Sequence, residues 1–110
     1  MKNLDFVLLL DCYGSFLTEK QRELLEGYYN DDLSLSELAE PLGISRQAVY
    51  DRIHRGERRL EELETQIGVA ARLKAARAVF EEIENLSSTL SEPAAEKIGE
   101  AARKGAALFR

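Results

Sequence analysis

The sequence predicts an all-α fold: a helix-turn-helix domain with a long recognition helix and a helical extension behind it. Three observations predict it. Ala, Leu, Glu and Arg, among the better helix formers, dominate a chain of 110 residues with only two prolines and seven glycines. Two capping-box patterns, Thr18 to Gln21 and Ser34 to Glu37, mark helix starts. From Val49 onward apolar or small residues recur at alternating intervals of four and three, which is the helical period.

The elements follow in order. Residues 4–13 read as a largely buried helix that Gly14 ends. Thr18 starts a second helix running to about Tyr29, with Leu24, Leu25 and Tyr28 inward, and Asn30-Asp31-Asp32 is a turn. Ser34 caps a short third helix, with Leu33 and Leu38 placed for a hydrophobic staple and Gly43 as the left-handed stop. Pro41 lies inside that helix and should kink or loosen its last turn. Ser45 caps a long fourth helix whose inner seam is Val49, Ile53, Gly56, Leu60, Leu63 and Ile67. Gly68 interrupts the seam, and a new one begins at Val69, Leu73, Ala76, Phe80, Ile83 and Leu86. Ser87-Ser88-Thr89 reads as a loop. Glu92-Pro93 suits the first turn of a last helix from about Pro93 to Leu108, alanine-rich and expected to fray. The division expected is a helix-turn-helix domain over 1–67 and an extension over 68–110 that packs back or dimerises through Leu60, Leu63, Ile67, Leu73, Phe80 and Ile83.

Composition narrows the function classes. Charged residues make up 32% and hydrophobic ones 45%, a globular balance rather than a disordered one. The lone Cys12 leaves no internal disulfide and no multi-cysteine metal site, and its apolar surroundings suit a buried thiol. The apolar run near the N-terminus is too short and too charged for a signal peptide, and no later segment is apolar enough to span a bilayer. A cytoplasmic setting without membrane contact is the expectation. Catalysis is not: the one histidine and one cysteine lie on different helices, and no phosphate loop, metal-ligand spacing or cofactor signature occurs.

The net charge of −5 conceals an asymmetry. Residues 1–44 carry −6, whereas residues 45–60 carry +3, in the stretch "GISRQAVYDRIHRGERRL". With the inner seam turned to the core, the outer face of the fourth helix holds Gln47, Asp51, His54, Arg55 and Arg58. Tyr50 lies on one flank, with Arg52 and Arg59 on the other. A recognition helix in this position puts its first turns into a major groove. Gln47 suits adenine, and Arg55 or Arg58 suits guanine. Ser45, Arg46, Arg52 and Arg59 suit phosphates, which position without specifying. Asp51 repels phosphates unless it accepts a hydrogen bond from cytosine. The same residues also fit a solvated surface, in which Asp51–Arg55 and Arg58–Glu62 are i,i+4 ion pairs worth about 0.2–0.5 kcal/mol each. In the turn region, Ala39 is small where two helices cross, and Leu38, Leu42, Ile44, Val49 and Ile53 fill the wedge.

The segments "DCYGSFLTEKQRE", "LSLSELAEPLGISRQAVYDRI" and "RLEELE" carry a resemblance that covers the first two-thirds of the chain. They resemble the YlxM family of small bacterial proteins, which is similar to region 4 of sigma factors. Pro41 and Gly56 depart from that pattern. The resemblance implies DNA binding and a regulatory role in the signal recognition particle pathway of protein targeting. It also implies contact with that particle's RNA or with its GTPase. Two readings therefore stay open: a nucleic-acid-binding regulator, or a protein-interaction module docking on a targeting GTPase. A homodimer is expected, since helix-turn-helix proteins read paired half-sites about a two-fold axis.

Overall fold

A computed structural model describes residues 5–89 and 93–108. Six helices are present among them: α1 Asp5–Tyr13, α2 Glu19–Tyr29, α3 Leu35–Leu42, α4 Arg46–Ile67, α5 Val69–Ser87 and α6 Pro93–Ala107. A single 3-10 turn, Gly14–Phe16, follows α1. The chain divides into two compact units with the boundary after Gly68. Leu4 and Glu92, which the sequence assigns to helix starts, lie outside the described residues.

The first unit is held by one core, to which Phe6, Leu10, Tyr13, Leu17, Leu24, Leu25, Ala39, Val49, Ile53, Leu60 and Leu63 contribute. Leu25, Val49 and Leu60 are wholly buried, and each such side chain stabilises the fold by about 1.5–3 kcal/mol. Both capping boxes form as the sequence requires. Thr18 Oγ1 accepts from the Gln21 amide at 3.2 Å while the Thr18 amide donates to Gln21 Oε1. Ser34 Oγ accepts from the Glu37 amide at 3.1 Å, and the Ser34 amide donates to Glu37 Oε1. The staple closes over a glycine: a Cβ at Gly27 would stand 2.8 Å from Leu38 and 3.5 Å from Leu33.

The turn between α3 and α4 fixes where α4 points. Gly43 has φ +64°, the left-handed conformation that a β-carbon disfavours. Its amide donates to both Ala39 O and Glu40 O, so α3 continues through Pro41 to Leu42 and closes tightly rather than breaking. Ser45 Oγ then accepts from the Ala48 amide at 3.0 Å and starts α4. Leu42 does not fill the wedge as expected. It stands in the last turn of α3, where the wedge opens to solvent, and is 50% exposed.

The second unit is a helical hairpin of α5 and α6. Its seam is made of small residues: Ala95, Gly99, Ala102, Gly105 and Ala106 of α6 are buried. A Cβ at Gly105 would run into the Phe80 ring, and one at Gly99 would meet Ser87 Oγ at 2.8 Å. The alanines expected to fray are thus the contact face of the helix. Ser87 also differs from its expected loop position. It is the last residue of α5, buried, and donates from Oγ to Glu84 O at 2.8 Å.

Of the residues expected to mediate tail packing or dimerisation, Leu60 and Leu63 lie in the first unit's core, and Ile67 is exposed at the end of α4. Phe80 faces α6, Leu73 is partly buried, and Ile83 is exposed.

Gly56 answers to the core. A Cβ there would lie 2.7 Å from Leu25 Cδ1 and 3.4 Å from Leu25 Cγ, so α2 and α4 approach through the missing side chain. Alanine gains about 1 kcal/mol of helix propensity, but overpacking against a wholly buried leucine costs about 1–3 kcal/mol. Gly56→Ala is therefore expected to lower the thermal midpoint by a few degrees in a circular-dichroism melt. A raised midpoint would show that Leu25 has room to move.

Candidate nucleic-acid interface

The core seam of α4 turns the rest of the helix outward. Arg46, Gln47, Tyr50, Asp51, Arg52, His54, Arg55, Arg58 and Arg59 are all exposed, as is Ser45 at the cap. The face is real, but its internal bonding differs from the expected ion-pair register. Asp51 Oδ1 accepts from Gln47 Nε2 at 3.0 Å, which commits one N–H of the amide expected to read adenine. Arg55 does not pair with the Asp51 carboxylate; its Nε donates to the Asp51 backbone carbonyl at 3.4 Å. Glu62 pairs with Arg59 at 3.6 Å rather than with Arg58. An i,i+3 partner and an i,i+4 partner are about equally near on a helix, so spacing alone leaves the choice open.

Arg46, Arg52, Arg55 and Arg58 form no ion pair among the described residues. Ser45 Oγ accepts from the Ala48 amide with one lone pair, and its hydroxyl hydrogen is still able to donate to a phosphate. At the N-terminal end of α4 an open hollow of about 350 Å³ is lined by Leu35 of α3 and by Arg46, Gln47 and Tyr50. A second open hollow of similar size runs beside Arg58, Glu61, Glu62, Thr65 and Gln66, an acidic setting for that arginine.

Two features escaped the sequence reading. Tyr50 and His54 stack, with ring centroids 4.9 Å apart and an interplanar angle of 23°. Their i,i+4 spacing was the available signal. The other is Glu57, whose side chain is 14% exposed, 3.7 Å from His54 Nδ1 and hydrogen-bonded by Tyr29 of α2. Burial pushes its carboxyl above the ordinary range, with Glu61 adding to the rise, while His54 and the Tyr29 bond oppose it. Burial likewise raises the Tyr29 phenol, with Glu57 beside it. Cys12 is also pushed up, by burial and by Glu64 and Asp11, away from the thiolate a reactive cysteine needs. Among the described residues no group of three or more His, Cys, Asp and Glu side chains could hold a metal ion, and no helix is long and apolar enough to cross a membrane.

A short helix, a left-handed glycine turn and a second helix seated by Val49 and Ile53, with arginines on its open side, define a helix-turn-helix protein. The chain belongs to the UPF0122 family, whose description is "Putative helix-turn-helix protein, YlxM / p13 like" and whose model matches residues 1–99. It is 45% identical over 82 residues to the UPF0122 protein of Shouchella clausii, covering 74% of this chain and 75% of that protein. It is 44% identical over 82 residues to that of Halalkalibacterium halodurans, with the same shares covered. The UPF0122 protein of Acetivibrio thermocellus is 50% identical over 68 residues, 62% of this chain and 58% of that protein.

The raised Glu57 carboxyl has a definite pH consequence. The folded form holds this proton more tightly than the unfolded chain, so the group favours folding most below its ordinary pKa of 4.5. That contribution is lost as pH rises through the raised value. Relative to the parent, Glu57→Gln is expected to gain in thermal midpoint as pH rises from the ordinary carboxyl pKa of 4.5 through the raised value. A gap moving the other way would mean that His54 and Tyr29 outweigh burial.

Proposed function

We propose that this protein is a nucleic-acid-binding regulator that engages its target through the outer face of α4. One observation carries the reading: four exposed arginines, Arg46, Arg52, Arg55 and Arg58, stand on that helix without an ion pair among the described residues. Cations already paired with carboxylates gain little by meeting phosphate, whereas unpaired ones displace counterions from it. Family membership supports the same reading, since a helix-turn-helix uses this helix for contact. Arg46, Arg52, Arg59 and the Ser45 hydroxyl take the backbone in this reading. Gln47, Tyr50, Asp51, His54, Arg55 and Arg58 lie where bases would be met.

The target is DNA or the RNA of the signal recognition particle, and the setting is a cytoplasmic protein-targeting pathway. That part rests on the resemblance to YlxM proteins. A second reading, docking on the particle's GTPase without direct nucleic-acid contact, finds support in the second unit, where Val79, Ile83, Leu86 and Ile98 are exposed. On α5 the first three recur at intervals of four and three and form one stripe. We assign this stripe to a second copy of the chain, because a helix-turn-helix that reads paired half-sites needs a two-fold partner.

Arg55→Ala combined with Arg58→Ala should weaken binding to short duplex DNA and to structured RNA, and lower the slope of log affinity against log salt by up to about two. Fluorescence anisotropy across a salt series measures both, and circular dichroism should show helicity unchanged. If neither nucleic acid binds the parent protein at low salt, the reading is wrong. For the dimer, sedimentation of the full chain should give a dimer that Ile83→Asp converts to a monomer. A parent protein that sediments as a monomer removes the second copy.

A further inference from the structure

Tyr50 and His54 make a stacked pair on the exposed face of α4, in a row that sets rings between cations. Arg46, Tyr50, His54 and Arg58 follow one another at intervals of four residues, which places them along one ridge of the helix. The two aromatic rings are thus flanked by an arginine at each end, about 18 Å apart along the axis at 1.5 Å per residue. Tyr50 is 43% exposed. Its neighbour one turn towards the C-terminus is His54, in ring contact. One turn the other way lies the open hollow that Tyr50 lines with Leu35, Arg46 and Gln47. Its volume of about 350 Å³ is ample for a planar base.

An i,i+4 aromatic contact alone stabilises a helix by a few tenths of a kcal/mol, and that accounts for the ring pair but not for the hollow or the flanking cations. Groove reading gives the two arginines a phosphate and a base edge to meet, but it has no use for the hollow. In a duplex every base already has both faces stacked, and a protein meets only base edges. An aromatic ring lining an open, partly apolar hollow is useful to a base that has left its stack.

We propose that Tyr50 and the hollow beside it form a stacking site for an unpaired nucleobase, with Arg46 and Arg58 holding the phosphates on either side. This inference rests on the nucleic-acid reading above and narrows it: the preferred target contains a single-stranded loop, bulge or end. Leu35 lines the hollow from α3, the Gln47 carbonyl and its second N–H remain for the base edge, and His54 extends the stack beyond Tyr50.

The test uses the full chain and four probes: a stem-loop RNA, the same stem closed as a continuous duplex, and the loop sequence as single-stranded RNA and as single-stranded DNA. Each loop carries one 2-aminopurine, whose fluorescence falls on stacking. Tyr50→Leu keeps apolar bulk at an exposed position and removes the ring. It should weaken loop and single-strand binding about tenfold, the lower part of the range for one base–aromatic stack, abolish the quench, weaken duplex binding distinctly less, and leave the salt slope unchanged. Tyr50→Phe should restore both affinity and quench. Arg46→Ala should lower the salt slope by about one instead. Tighter binding of either sugar supports the stack and identifies its source. Equal loss on duplex and loop probes, or no loss with Tyr50→Leu, overturns the stacking site while leaving nucleic-acid binding intact. Failure of every probe to bind the parent protein at low salt overturns both.

Discussion

The close approach of α2 to α4 at Leu25 and Gly56 is the constraint on which the rest of the first unit depends. Leu25 is wholly buried, and the space its side chain occupies is the space a β-carbon on residue 56 would need. A helix seated on a fixed contact can neither slide nor rotate without opening a cavity or forcing a clash, because protein interiors are packed at crystal-like density. The rotation of α4 is thereby set, and with it the side chains that face water. Tyr13 of α1 adds a second tie farther along, donating its hydroxyl to Glu64 Oε1. The reading face of α4 is thus a consequence of its buried face.

That dependence explains what was legible in the sequence. The seam Val49, Ile53, Gly56, Leu60 and Leu63 is read from spacing alone, and its burial follows because one helix face must cover the core. Caps are legible too, since Thr18, Ser34 and Ser45 answer to the orphan amides of the next three residues and to nothing distant. Leu42 shows where spacing fails. Its period places it inward, but the helix ends there and half of its surface stays exposed. The seam of α6 was missed for a different reason. The charged residues of α6 are segregated from its small ones, but a face of alanine and glycine is weakly apolar and suits a solvated helix as well, so the pattern did not mark it as a contact face. The Phe80 ring against Gly105 shows the alternative, a large residue on one helix filling the gap left by a small one on the other.

The exposed face was legible as a set of residues but not as a set of bonds. Surface side chains choose among partners at i+3 and i+4 whose energies differ by a few tenths of a kcal/mol. Asp51 goes to Gln47, Arg59 goes to Glu62, and Arg58 is left beside Glu61 and Glu62 without pairing. Glu57 is different. It lies on the border between face and core, where Tyr29 reaches it from α2. No pattern within α4 could reveal that contact, because its partner lies 28 positions earlier in the chain.

The face has two parallel rows, and their electrostatics differ. One runs Arg46, Tyr50, His54 and Arg58; the other runs Gln47, Asp51, Arg55 and Arg59. Asp51 interrupts the second row with a carboxylate that a hydrogen bond from neutral Gln47 positions without neutralising. Arg59 in that row has already met Glu62. A chain of phosphates laid along it would cross one fixed negative charge and find one cation already engaged. Along the first row it would meet two cations without ion-pair partners among the described residues, separated by two aromatic rings rather than by charge. Exposed charges act over about a Debye length, 8 Å at physiological salt, so neighbouring rows of one helix are near enough to be compared directly. Glu57 lies 3.7 Å from His54, and Glu61 and Glu62 line the hollow beside Arg58, so carboxylates border the first row as well, but none of them stands within it. Asp51 makes the choice between rows, and it favours the row that carries the rings.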